Sequence, residues 1–243
     1  MKIVAALLLI ATLSASAAHA QTEADLELVL LADATGSIDD AEIRFQRQGY
    51  ATAITDPSVI AAIADTVSGR IAVTYIEWGH AASQDIVVDW TIIDGAATAA
   101  AFAEALLVPP RRAGGGNAIG AALLFGKARI DGNDIAGLRR VIDISADSAA
   151  NFSGPPINVA RDEVVAAGMT INGLAVLCRE CSGRPINYDL EAAFADQVVG
   201  GPGAFVVTAD NPAKFADAVR RKLILEIADN RVPSGVARSD DAR

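Results

Sequence analysis

The chain is 243 residues long and carries 30 Asp and Glu against 20 Lys and Arg, a formal net charge of −10. A surface of that sign repels phosphate backbones and anionic lipids, which sets nucleic acid aside as a partner and favours cations. With 2 His and 2 Cys in the whole chain, a His-rich zinc site within one chain is also excluded.

Residues 1–20 read as an export signal. Lys2 gives the positive start, residues 3–13 are almost wholly apolar, and Ala18-His19-Ala20 fits the small-x-small cleavage rule. The apolar run is shorter than the roughly 20 residues a bilayer span needs. No later stretch is long and apolar enough for a transmembrane helix, and no Cys near the signal could carry a lipid anchor. The expected location is periplasmic or extracellular. Cleavage would remove His19 and leave His80 as the only histidine on which a Ser-His-Asp triad could be built. About 220 residues would remain, enough for one α/β domain with an ample core. That domain is expected over 24–230, followed by a polar, flexible tail over 231–243.

From Leu26 onward, apolar runs alternate with helical patterns, the order of βα units and a parallel sheet. A buried strand over 26–32 ends in Asp33. Helices follow over 39–55 and 57–66, with Asp39 and Glu42 spaced as a capping box. Strands over 71–78 and 86–93 flank the short turn 79–83, so they form a hairpin and one of them runs antiparallel to the rest. Helices over 96–107 and 118–130 are separated by Pro109-Pro110 and a glycine run. A strand over 141–145, a helix over 157–167, a strand over 170–177, a helix over 189–198 and a strand over 204–208 come next. The last helix is capped by Asn211, begins at Pro212 and runs to about Asp229. The fold class is therefore α/β: a doubly wound, mostly parallel six-stranded sheet with one antiparallel edge strand and helices on both faces.

Asp33-Ala34-Thr35-Gly36-Ser37 follows the first strand directly. In an open α/β sheet, ligands bind beyond the carboxyl ends of the strands, where strand order reverses. This segment puts one carboxylate and two hydroxyls at such an end, with Gly36 allowing a tight turn. A hard cation such as Mg²⁺ takes oxygen ligands in an octahedron and keeps waters, so two hydroxyls can bind it directly while the carboxylate holds a coordinated water. A helix cap is the plainer reading of the same segment, but Asp39 can serve as the cap and release Ser37. Two further loops add oxygen donors: the strand Arg139–Asp147 ends in Asp147, and the glycine run 114–116 ends in Asn117. Asp33, Thr35, Ser37, Asn117 and Asp147 could close a five-ligand shell.

These residues resemble the metal-ion-dependent adhesion site of von Willebrand factor type A domains: Asp-x-Ser-x-Ser, a Thr in a Gly-Gly-Thr loop, and a later Asp. Thr35 stands where the family has Ser, keeping the hydroxyl. Asn117 stands where it has Thr, replacing a hydroxyl with a longer carboxamide that can also ligate, and Ser148 replaces the Gly after the last acid. Tyr75-Ile76-Glu77-Trp78, Thr170-Ile171-Asn172-Gly173-Leu174, Gly200-Gly201-Pro202-Gly203-Ala204-Phe205 and Arg220-Arg221-Lys222-Leu223 resemble the bacterial branch known as domain of unknown function 1194. The resemblance spans nearly the whole mature chain. It implies an exported protein-interaction module that binds Mg²⁺ (or Mn²⁺ or Ca²⁺) and, through it, a carboxylate of a protein partner, without catalysis. Two rivals stand beside it: a Mg²⁺-dependent phosphoryl-transfer or hydrolytic enzyme, and a structural envelope subunit with no working metal site.

Five other features are read more plainly. Cys178-x-x-Cys181, with no helix directly after it, fits a small structural disulfide in an oxidising compartment better than a redox or metal site. His80 is an exposed turn residue. Arg111-Arg112 is a solvated loop rather than an anion site. The glycine run lacks the Gly-Lys-Ser/Thr ending of a phosphate loop, and Asn151-Phe152-Ser153, formally a glycosylation acceptor, is an uncommitted loop.

Overall fold

The computed structural model describes residues 21–177 and 188–228. The expected signal (1–20), Cys178, Cys181 and the expected tail (231–243) lie outside the described residues.

In chain order the elements are β1 (Thr22–Asp33), α1 (Asp40–Ile54), α2 (Pro57–Ala64), β2 (Ile71–Trp78) and β3 (Gln84–Ile93). Next come α3 (Ala96–Leu107), α4 (Ile119–Asp131), β4 (Ile135–Ala146), α5 (Ile157–Ala166) and β5 (Thr170–Val176). A four-residue α6 (Leu190–Ala193) continues as a π-helical turn (Phe194–Val198) and leads to β6 (Val206–Ala209). A 3₁₀ turn (Pro212–Lys214), capped by Asn211, then opens onto α7 (Phe215–Ala228).

The sheet has six strands in the order β3-β2-β1-β4-β5-β6. All neighbours are parallel except β2 and β3, so the hairpin supplies the antiparallel edge. From β1 the chain moves outward to β2 and β3, then returns to β4 on the other side of β1. Connections leaving β1 and β4 thus diverge, and the crevice between them opens at the carboxyl ends of these strands. Asp33 is the last residue of β1 and Asp147 the first after β4.

The central strands are apolar on both faces because helices cover both. Leu26, Leu28, Leu30 and Ala32 of β1 pack with Tyr50 and Ile54 of α1, Phe102 of α3, and Phe215 and Leu223 of α7. Val29 and Leu31 point the other way, toward Leu123 of α4, Val164 of α5 and Phe194 of the π-helical turn. Each large side chain so buried contributes roughly 1.5–3 kcal/mol of transfer free energy.

Several boundaries differ from the sequence reading. β4 begins at Ile135, six residues before the apolar run at Val141, because its first half pairs with Thr22–Leu26 of β1 and its side chains stay half-exposed, leaving no continuous apolar signal. The helix expected over 189–198 is α-helical for four residues only, then widens into the π turn. The last strand begins at Val206 and the last α-helix at Phe215, Asn211 capping the 3₁₀ turn ahead of it.

Candidate metal centre

The loop after β1 is held in a fixed shape. The Thr35 amide donates to Asp33 Oδ1 at 2.8 Å, and the Thr35 and Ser37 hydroxyl oxygens lie 3.1 Å apart. Ser37 does not cap α1. Asp39 does, accepting from the Ala41 and Glu42 amides at 2.7 and 2.8 Å, while its own amide donates to Glu42 Oε2 at 2.7 Å. This is the capping box expected from the sequence, and it leaves Ser37 half-buried at the crevice.

Three loops interlock here. The Gly36 amide donates to the Gly115 carbonyl at 2.8 Å, and the His80 amide to the Gly114 carbonyl at 2.9 Å. The Gly114 amide donates to Ser83 Oγ at 3.0 Å. The glycines follow from this closeness: a Cβ on Gly79 would sit 2.2 Å from the Gly114 carbonyl oxygen, and Gly115 has φ +93. Asn117, at the end of the glycine run, accepts from the Phe152 amide through its carbonyl at 2.7 Å. Asn151 fixes that second contact, accepting from the Gly120 amide at 3.1 Å and donating to the Pro155 carbonyl at 3.0 Å.

Asp33 is 1 % exposed and Asp147 6 %. Burial pushes the Asp33 carboxyl up to about 7, and repulsion from Asp147 adds to it; the Thr35 amide and hydroxyl and the Asp147 amide pull the other way. The two acids are therefore electrostatic neighbours across the crevice, as their strand ends require. Asp33 Oδ2 is buried without a hydrogen-bond partner, and so is the Asn117 side-chain nitrogen. A carboxamide turns its oxygen inward by a half-rotation. Thr35 is buried as well. Two carboxylates, two hydroxyls and a carboxamide form a hard, oxygen-only donor set, which fits a divalent cation of the Mg²⁺, Mn²⁺ or Ca²⁺ kind. Among the described residues no group of three or more His, Cys, Asp or Glu side chains could hold a metal, so any site here depends on its neutral oxygens.

Two residues of the site were not singled out as such by sequence. Arg111, read as solvated, instead ties the loops together. Its Nη2 donates to the Ala34 and Thr35 carbonyls (2.7 and 3.1 Å), Nη1 to the Ile38 carbonyl (2.7 Å) and Nε to the Ala113 carbonyl (3.1 Å). Glu42, read only as part of the cap, also feels the site: its carboxyl is raised by burial first, then by Asp39 and Asp147. No local signal marks a guanidinium whose acceptors, Ala113 apart, lie 71 or more residues away in sequence, whereas Glu42 was visible through its spacing from Asp39. His80 is exposed, as expected. Gly36, Ser37, Ile38, Asp39, Asp40 and Arg111 line a shallow hollow open to solvent beside the donor set.

A comparison with curated proteins finds none that matches. Among solved structures, the chain resembles the pilus adhesin SpaC from Lactobacillus rhamnosus GG at TM-score 0.60 and 13 % identity, covering 84 % of this chain and 30 % of that one. It also resembles proximal thread matrix protein 1 from the mussel byssus, with a zinc-occupied metal-ion-dependent adhesion motif, at TM-score 0.59 and 12 % identity, covering 86 % of this chain and 49 % of that one. A von Willebrand factor type A structure from Catenulispora acidiphila follows at TM-score 0.55 and 15 % identity, covering 84 % and 43 %. The chain thus spans half or less of these neighbours, and at such identities the likeness is one of fold. The family model described as protein of unknown function DUF1194 matches residues 23–231. The chain belongs to the DUF1194 family and has the fold of a von Willebrand factor type A domain.

Proposed function

We propose that the domain is a divalent-cation-dependent protein-binding module of the cell envelope or exterior. The observation that carries this reading is the buried pair Asp33 and Asp147, brought together at the crevice with the Thr35 and Ser37 hydroxyls alongside. Two carboxylates that repel each other in a water-poor site are stabilised either by a proton or by a cation, and the surrounding oxygens suit the cation. Asp33, Thr35, Ser37, Asn117 and Asp147 would hold it. Once bound, the ion supplies an electrophilic coordination position for an oxygen ligand, such as a carboxylate of a protein partner.

The chain's own residues do the preparatory work. Asp33 and Asp147 set the charge, Arg111 and the three glycines fix the loops, and the open hollow beside Ser37 admits the partner. The zinc in the mussel matrix protein and the adhesin role of the pilus neighbour support this reading, as does the export pattern of residues 1–20. Enzymatic phosphoryl transfer is disfavoured because Arg111, the cation at the site, directs its donors at loop carbonyls. We therefore assign no catalytic residue.

Melting curves in chelator and in rising MgCl₂, MnCl₂, CaCl₂ and ZnCl₂ test the reading. A cation bound only by the folded state at 100 times its Kd adds about 2.7 kcal/mol, so Tm should climb with concentration in the wild type and stay flat in Asp147→Asn. A Tm indifferent to every cation would instead support a structural envelope subunit.

A further inference from the structure

Beneath α7 lies a group of charges that the metal centre does not use. Lys222 Nζ lies 2.7 Å from Asp143 Oδ1 on β4 and 2.5 Å from Glu226 Oε1, one turn along α7. Each of the three side chains is at most 1 % exposed. Asn172 of β5 donates to the same Glu226 oxygen at 3.0 Å, and its own oxygen accepts from the Phe205 amide at 3.2 Å. The Phe205 ring lies 5.3 Å from the ammonium. Among the described residues, the other charged or titratable groups facing the cluster are the half-exposed Arg139 of β4, whose Nη2 donates to the Ile227 carbonyl at 2.9 Å, and the phenols of Tyr50 of α1 and Tyr75 of β2. These phenols are buried and held neutral, raised by burial first, then by Asp143 at Tyr50 and by Glu77 and Asp143 at Tyr75.

The charge count is the decisive feature. One ammonium neutralises one carboxylate, and two carboxylates are present in a site from which water is excluded. The second would stand as a net buried negative charge, which costs several kcal/mol in so poor a dielectric. Glu226 Oε2 is buried without any donor, so the surroundings do little to stabilise a second anion. Tyrosines that are neutral and acidic only at high pH cannot supply a cation. A proton can.

We propose that Asp143 and Glu226 share one bound proton in addition to their contact with Lys222, making the docking of α7 onto the sheet proton-linked. Burial raises the Asp143 carboxyl to about 7, with Glu226 adding to it and Lys222 opposing. The folded state therefore binds this proton more tightly than the unfolded chain does. Stability from the cluster is full below the unfolded value near 4 and is lost as pH rises through about 7.

A carboxyl-carbon NMR titration of the wild type in chelator, combined with amide hydrogen exchange, tests this. Asp143 should titrate near neutral pH. From pH 5 to 7, α7 protection, corrected for intrinsic rate, should fall by up to tenfold per pH unit, the slope of one proton, and level off above. Asp143→Asn should flatten that slope. Asp143 titrating in the ordinary range near 4, or a neutral titration with α7 protection unchanged, would overturn the proposal, and the wild-type titration decides even if the variant fails to fold.

Discussion

Asp33 stores the conflict on which the proposed metal centre rests. A buried carboxylate facing Asp147 is a burden in the metal-free fold and an asset once a cation is present. Its folded-state carboxyl is raised to about 7, so without metal the stability it contributes is full below the unfolded value near 4 and is lost as pH rises through about 7. A cation holds it ionised. The Tm gap between metal-loaded and chelator-treated protein should therefore be wider at pH 8 than at pH 5.5, and an equal gap would mean that Asp33 is not a ligand. Asp33→Asn should raise Tm in chelator at pH 8 while removing the metal response. A substitution that stabilises the empty protein and disables the loaded one is the signature expected of a binding residue. Asp39→Ala is the companion control: losing the α1 cap costs about 1 kcal/mol and should leave the metal-induced Tm shift within twofold. These residues were legible because Asp33, Thr35 and Ser37 are contiguous and Asp147 ends an apolar strand. Arg111 was not, since its role appears only when the loops at Ala34, Ile38 and Ala113 are brought around it.

At the scale of elements, periodicity served well wherever an element has a buried face. α1, α3, α5 and the hairpin were readable from their apolar spacing. The first half of β4 was not, because Gly137 and Arg139-Arg140 interrupt the apolar run. The glycine has a packing reason: a Cβ there would lie 2.7 Å from Glu27 Cγ, and Glu27 accepts from the Gly137 amide at 2.9 Å. Contacts of that kind come from a strand 110 residues away in sequence, so no local window contains them. The glycine at the hairpin turn has a similar cause with a functional consequence. Gly79→Ala should drive the glycine loop away from the turn, costing roughly 1–3 kcal/mol and weakening the metal response, since Asn117 rides on that loop. Unchanged chemical denaturation would show the contact to be yielding.

Over the whole molecule, one face of the sheet carries more charge than a core usually tolerates. Besides the cluster at Lys222, Arg47 Nε donates to Glu77 Oε1 at 2.6 Å, with the two side chains 4 % and 0 % exposed, and Arg47 also reaches the Pro109 carbonyl ahead of the glycine run. Removing one partner leaves a buried charge alone, so Arg47→Met should cost about 3–5 kcal/mol, measurable by urea unfolding. The double change Arg47→Met with Glu77→Leu should recover much of it. The doubly wound topology was legible from the alternation of strands and helices, while the convergence of Asp33, Thr35, Ser37 and Asp147 depends on β4 returning beside β1. That return is a fact of strand order, which the family resemblance anticipated and the chain's local patterns do not encode.

The central claim is that oxygen ligands from three loops bind one divalent cation. A Mn²⁺ titration followed by the loss of the free-ion paramagnetic resonance signal, at pH 8 and pH 6, tests it most directly. One ion per chain is predicted, bound up to tenfold more weakly per pH unit below about 7 as a proton competes at Asp33, with binding lost in both Asp33→Asn and Asp147→Asn. Mn²⁺ uptake of the same strength in those two variants, or none in the folded wild type at pH 8, would contradict it.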